Sequence, residues 1–284
     1  MRLGMVLPVA GPDGGPLGPS DLADGARRLE AAGFDSVWAF DAIGRGFALP
    51  DALIAVSVAA AVTTSIEVGT GVLQVPLRNP VELANRVLTA HLVSGGRLVL
   101  GVGAGSTPAD FAAVGADFDG RLRALAVGID TMRRLWEGET VGAAHLAPWP
   151  AALGGPPVLV GSWAGGRWIT RAATELDGWV ASAAKTSVRA LREGITRFRD
   201  AGGMRAVVTN IEVDLAAPAA PLTDDEPLTL RCPPAEAAAR LALLADLGFD
   251  DAVLFAADHG DETLADLRSL TTPPREPARR TGDR

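Results

Sequence analysis

The sequence predicts an α/β fold closed as a single (β/α)8 TIM-type barrel, and three observations carry that prediction. Short apolar runs of strand length alternate with segments of helical period along the chain. Residues 66–106 hold a complete strand, helix and second strand, a unit that closes right-handed with its strands parallel. Eight such strands fit within 284 residues, and no GxGxxG turn of an open nucleotide-binding sheet follows the first. The cluster Gly101-Val102-Gly103-Ala104-Gly105 is too closely spaced for that fingerprint.

Each element has its own signal. Residues 2–9 read as the first strand, stopped by Gly11-Pro12. Ser20 is placed to cap a helix through residue 32, with Leu22, Ala26, Leu29 and Ala32 on one face and Gly33 at its end. Residues 36–40 form the second strand and 51–62 the helix behind it. Ile66, Val68, Val72 and Leu73 mark the third strand, and Asn79-Pro80 opens a helix carrying Leu83, Val87 and Leu88. Leu98 to Val102 form the fourth strand, followed by helices at 111–114 and 122–135. Residues 138–156 are rich in Gly, Ala and Pro and read as an irregular excursion.

The alternation resumes with strands at 157–160, 179–181, 206–215 and 251–255. Helices at 168–176, 187–201, 234–247 and 261–270 follow them in turn, and 217–233 is a polar, Pro-rich crossover. Residues 1–272 are expected to form one barrel and 273–284 a disordered tail. A formal charge of −8 with no basic patch argues against nucleic-acid binding. Cys232 is alone and His91, His145 and His259 are scattered, so neither an internal disulfide nor a metal site is expected. No run reaches membrane-spanning length and MRLGMVLPV lacks a leader pattern, which predicts a cytoplasmic enzyme with no membrane partner.

In such a barrel chemistry sits where strands end. The side chains placed there are Pro8, Asp41, Gln74, Ser106, Ser162 to Arg167, Ser182 to Lys185, Asn210, Glu212, Asp258 and His259. Gly161-Ser162-Trp163-Ala164-Gly165-Gly166-Arg167 can converge backbone N–H groups on a phosphate at a helix start, or serve as a tight turn. Lys185, the only lysine, stands at the next helix start, where an anion or plain solvent would accommodate it. Asp41 reads equally as a ligand contact or a turn cap. Gly71-Val72 marks a bulge or an approach of backbone to a flat ligand. Asp224-Asp225-Glu226 reads as a solvated charge run. No acid–base pair stands out, which suits an organic cofactor that carries the chemistry itself.

Several motifs carry a resemblance. DSVWAFDA, GTGVLQVPLRNPVELAN, SGGRLVLGVGAGS with FAAVGADFDGR, PPVLVGSWAGGRWITRAATELDGWV and PPAEAAARLALLADLGFDDAVLF together resemble the bacterial-luciferase-like family of flavin- or deazaflavin-dependent oxidoreductases. The resemblance covers nearly the whole chain. It implies reduced FMN or coenzyme F420 at the strand ends, with the ring against Gly71, Val72 and Gly103. It also implies a non-prolyl cis peptide at Gly71-Val72, and a cofactor phosphate at Gly161, Ser162, Gly165, Gly166 and Lys185. Asp41, Ser106 and His259 are the candidates for polar contacts to ring or substrate. By the same resemblance the chain is a homodimer that acts on a small organic substrate, by hydride transfer or monooxygenation, and has a flavin or F420 reductase as partner. The family's deazaflavin sugar dehydrogenases carry His and Glu where this chain has Ala42 and Ser106, which argues against sugar-phosphate oxidation. A non-catalytic flavin-binding barrel and a phosphate-metabolite isomerase or lyase are the alternatives.

Overall fold

Side chains alternate between the two faces of a strand, and here both faces are buried, as a parallel barrel requires. The computed structural model describes residues 1–163, 166 and 168–271. In β1 (Arg2–Val6) Leu3 and Met5 pack outward under the helices while Val6 turns inward. The inward set continues with Trp38 of β2 (Ser36–Ala39), then, beyond β3 (Glu67–Gln74), with Val99 of β4 (Leu98–Gly103). A two-stranded hairpin, β5 (Thr140–Val141) and β6 (Ala144–His145), precedes β7 (Val158–Gly161), β8 (Gly178–Ser182) and β9 (Ala206–Asp214). The short β10 (Leu230–Arg231) extends the edge of β9, and β11 (Asp251–Phe255) completes the set.

The ladder runs β1-β2-β3-β4-β7-β8-β9-β11 and back to β1, every pairing parallel. It is a closed eight-stranded barrel, as the sequence predicts. The helices are α1 (Asp21–Ala31), α2 (Ala52–Val62), α3 (Pro80–Val93), α4 (Pro108–Val114), α5 (Arg121–Trp136), α6 (Trp168–Thr174), α7 (Val188–Asp200), α8 (Pro234–Leu247) and α9 (Asp261–Ser269). Asn79, Asp51 and Ser187 cap α3, α2 and α7 through their side chains.

Trp38 fills the barrel interior and is 1% exposed. Its indole N–H donates to Ser36 Oγ at 2.8 Å. The ring has room because Gly4 and Gly69 face it: an added Cβ would stand 2.9 Å from Nε1 and 2.7 Å from Cε3, respectively.

Local departures from the prediction have local causes. β1 ends at Val6, and Leu7 N–H makes a last bond to Trp38 O before Pro8, which has no N–H to offer. Ser20 is helical in φ and ψ and makes no side-chain cap; the Asp21 carboxylate takes the Gly18 N–H instead. The 138–156 excursion contains the β5–β6 hairpin. The acidic run at 224–226 is solvent-exposed in a loop, as the sequence predicts, and its backbone also meets α7. The carbonyls of Asp224 and Glu226 accept the Arg189 and Val188 N–H groups that open α7, and Asp225 pairs with Arg189 at 3.0 Å. Residues 273–284, the predicted tail, lie outside the described residues.

Candidate active site

At the C-terminal end of the strands the barrel opens into a cavity of about 450 Å³, a size suited to a small organic ligand. Gly71 and Val72, joined by a cis peptide, form one side of it. The β3–β4 register shifts between Thr70 and Leu73 at the same place. The predicted cis position and the predicted bulge thus coincide. Gly103 to Ser106, Gly161 to Trp163, Gly166 and Trp168 continue the wall, and Ala181, Ser182, Thr209 and Asn210 face them. Val180 of β8 and Arg121, Leu122 and Leu125 of α5 complete the described lining. Among the described residues that line it, Arg121 alone is charged, and none is a histidine or carboxylic acid.

A polar network supports this rim from behind. The Gln74 N–H donates to Asp41 Oδ2 at 2.9 Å, and Gln74 Nε2 donates to Asp41 O and Asp110 Oδ2, each at 3.0 Å. Asp110, fully buried on α4, also accepts from Arg45 Nε at 2.8 Å. Burial alone would raise the Asp110 carboxyl, but the hydrogen bonds from Arg45 and Gln74 hold it below the usual carboxylate range. Arg78 reaches both Asp41 and Asp51. Burial opposes its charge, and the two carboxylates outweigh burial and raise its pKa. Gln74 Oε1 is left buried without a partner among the described residues. Gly105, at φ +78, covers it so closely that an added Cβ would lie 2.4 Å away, so this turn accepts only glycine.

The structure brings together Gly71, Val72, Gly103, Ser106, Gly161, Ser162 and Gly166 of the predicted set, all on the cavity wall. Gly165 lies outside the described residues. Asp41, Lys185 and His259 stand apart from the wall. Asp41 is turned away into its ion pair with Arg78. Lys185 ends a short 3-10 turn after β8 with its side chain exposed to solvent. His259 is held beside α1 by a backbone hydrogen bond to Ala256, and burial pushes its imidazole pKa down. The neighbouring Asp258 accepts from Gly260 N and Thr263 Oγ1, closing the turn into α9.

Sequence reasoning missed Arg121, Trp168 and Thr209 as lining residues. Arg121 opens α5, well after the fourth strand has ended, and no local spacing marks it. It is held over the Phe118 ring at 3.9 Å, with its Nη1 donating to Phe118 O at 2.8 Å. The two tryptophans of GSWAGGRW were visible in the sequence, and Trp163 stands 65% exposed at the cavity rim.

A closed parallel barrel with a glycine-lined slot at its strand C-termini defines a TIM-type barrel with a small-molecule site. Residues 1–231 match the family model described as luciferase-like monooxygenase, and the chain belongs to that family. It is 36% identical over 132 residues to an F420-dependent glucose-6-phosphate dehydrogenase of Amycolatopsis mediterranei (strain U-32), a match covering 44% of this chain and 40% of that one. It is 34% identical over 117 residues to the 4-hydroxyprotoasukamycin monooxygenase of Streptomyces nodosus subsp. asukaensis, covering 40% and 31%. These matches thus span less than half of either relative. Monooxygenase RslO1 from Streptomyces bottropensis superposes with a TM-score of 0.76 at 18% identity, over 95% of this chain and 97% of that one, and so shares the fold. Among the described residues no helix is long and apolar enough to cross a membrane.

Proposed function

We propose that this chain is an oxidoreductase that holds reduced FMN or coenzyme F420 in the cavity at the strand ends and acts on a small organic substrate. The observation that carries the reading is the lining itself. A backbone bulge at Gly71-Val72 and the small residues Gly103, Gly161 and Gly166 leave a slot that side chains would fill, with Arg121 the one cation among the described residues of its wall. Gly71 and Val72 would hold a flat ring. Ser162, Gly166 and Arg121 would hold a phosphate, where a guanidinium is worth more than a solvated lysine. The bound group supplies the redox chemistry, by hydride transfer or oxygen activation.

The chain's own side chains then bind, orient and exclude water. No imidazole or carboxylate stands on the described wall to move a proton, and the family resemblance implies that Ser106 and Ala42 stand where its sugar-phosphate dehydrogenases carry such groups. A phosphate-metabolite isomerase or lyase requires an acid–base group at that wall, so the redox reading is favoured. Two relatives named as an F420-dependent dehydrogenase and a monooxygenase support it. A homodimer and a flavin or F420 reductase partner belong to the same proposal.

Titration of the purified chain with FMN and with F420, followed by fluorescence and thermal stability, tests the reading. We expect saturable binding of one ring compound, weakened about tenfold or more by Arg121→Ala. Failure of both compounds to bind, oxidised or reduced, would sink it. Tight binding without turnover of any acceptor would favour a non-catalytic flavin-binding barrel.

A further inference from the structure

Asn210 is the one non-glycine residue with positive φ among the described residues, at φ 57. It lies where β9 carries an extra residue against β11: Val208 pairs with Ala252 and Ile211 with Leu254, so Thr209 and Asn210 together face Val253. Asparagine tolerates this left-handed conformation better than most side chains. Both Thr209 and Asn210 line the cavity, as does Ser182 on the adjacent strand β8.

Hydrogen bonding fixes which way the Asn210 amide points. Thr209 Oγ1 donates to Ala181 O at 3.1 Å, and because a carbonyl only accepts, the threonine hydrogen is committed there. Toward Asn210, at 3.3 Å, Thr209 can therefore only accept, so the NH2 group faces it. The same Nδ2 donates to Ser182 Oγ at 3.2 Å. Both amide hydrogens are thus used. Asn210 Oδ1 accepts nothing among the described residues, and the Ser182 hydroxyl, accepting from the amide, keeps its own hydrogen free.

We propose that Asn210 Oδ1 and the Ser182 hydroxyl form a recognition edge, one acceptor beside one donor, for the adjoining N–H and C=O of a cyclic amide or imide. The proposal rests on the redox reading for what occupies the rest of the cavity. Two sources carry that chemistry: the pyrimidinedione edge of the ring cofactor and a lactam or imide in the substrate. The uncharged pair selects neutral groups, in contrast to the Arg121 side of the wall.

The full-length protein is titrated with FMN, F420 and N3-methyl-FMN, following tryptophan fluorescence from Trp163 and Trp168. The wild type is compared with Asn210→Gly, which keeps the positive φ, and with Ser182→Ala. Saturation-transfer NMR then compares δ-valerolactam with N-methyl-δ-valerolactam, whose N–H is blocked. If the edge reads the cofactor, both variants weaken the native ring compound about tenfold, and a wild-type preference for FMN over its N3-methyl form disappears in Asn210→Gly. If it reads the substrate, cofactor affinity is unchanged, while the wild type binds the lactam in preference to its N-methyl form and both variants lose that preference. Unchanged cofactor affinity together with equal binding of the two lactams overturns the proposal. Wild-type protein that binds neither ring compound refutes the redox reading instead, and the lactam pair still tests the edge on the protein alone.

Discussion

At the N-terminal end of the barrel Arg205 lies between Glu67 and Asp251, 2.6 Å and 3.0 Å from their carboxylates, and Arg2 reaches both at 3.3 Å. At the C-terminal end the only charged side chain on the described cavity wall, Arg121, has no carboxylate beside it on that wall. Burial opposes the Arg205 charge, yet its hydrogen bonds to Glu67 and Asp251 outweigh burial and raise its pKa. For Asp251, fully buried, desolvation prevails over its two arginines and pushes the carboxyl up. Between the two ends Trp38, Val99, Leu159, Val207 and Val253 pack the interior. One end thus pairs Arg2 and Arg205 with Glu67 and Asp251, while the other leaves space and unmatched polar groups. A barrel can be held together at one end and kept free for ligand at the other because the packed layer separates them.

Breaking the closed end should cost stability and spare binding. Arg205→Ala leaves the buried Asp251 facing Arg2 alone, and urea unfolding is expected to show a loss of about 3 kcal/mol; a loss near zero would mean the cluster is not what closes the barrel. The open end should respond the other way. Gly161→Ala puts a Cβ 2.9 Å from Val72 Cγ1 across the slot. Ring-cofactor affinity should fall more than about tenfold while stability changes by less than about 1 kcal/mol, because Val72 borders empty space.

Two smaller effects sharpen the contrast. Glu30 accepts the N–H groups of Thr64, Ser65 and Ile66 near the start of β3. Although burial opposes its charge, these bonds lower its pKa from 4.5 to about 2. A lowered folded-state pKa adds stability above pH 4.5 that is lost as the pH falls toward 2. Glu30→Gln should therefore remove about 1 kcal/mol at neutral pH, less than the shift alone implies because water screens the group, and the difference from wild type should vanish in acid. Smallest of all, Lys185→Ala should leave FMN and F420 affinity unchanged. A weakening equal to that of Arg121→Ala would move the phosphate contact to the α7 side.

Much of the open end is legible in the amino-acid sequence. Gly71-Val72, Gly103, Gly161, Ser162 and Gly166 are small residues at strand ends, and their spacing is a local property. Ser182 and Asn210 are legible as strand-end side chains, though not as a pair. Asp41 is legible as a position but not as a role, because the partners that turn it away lie 33 and 37 residues on, at Gln74 and Arg78. Lys185 is likewise legible as a position but not as a role: helix starts attract attention in a sequence, whereas the one cation among the described residues of the cavity wall belongs to α5, an element that no strand-end rule reaches.

By itself the sequence determined the alternation of eight strands with helices, the helix start at Asn79-Pro80, and the glycines that clear the slot. Each of these depends on neighbours a few residues apart, where periodicity and backbone sterics act. Only the tertiary structure decided that Arg205 bridges Glu67 and Asp251, that Arg121 faces the slot, and that Thr209 orients the amide of Asn210. Those relations depend on which strands become neighbours: barrel closure sets Arg205 and Asp251 beside Glu67, and the β8–β9 pairing sets Ala181 O where it commits the Thr209 hydroxyl, and no local pattern records who will be opposite whom.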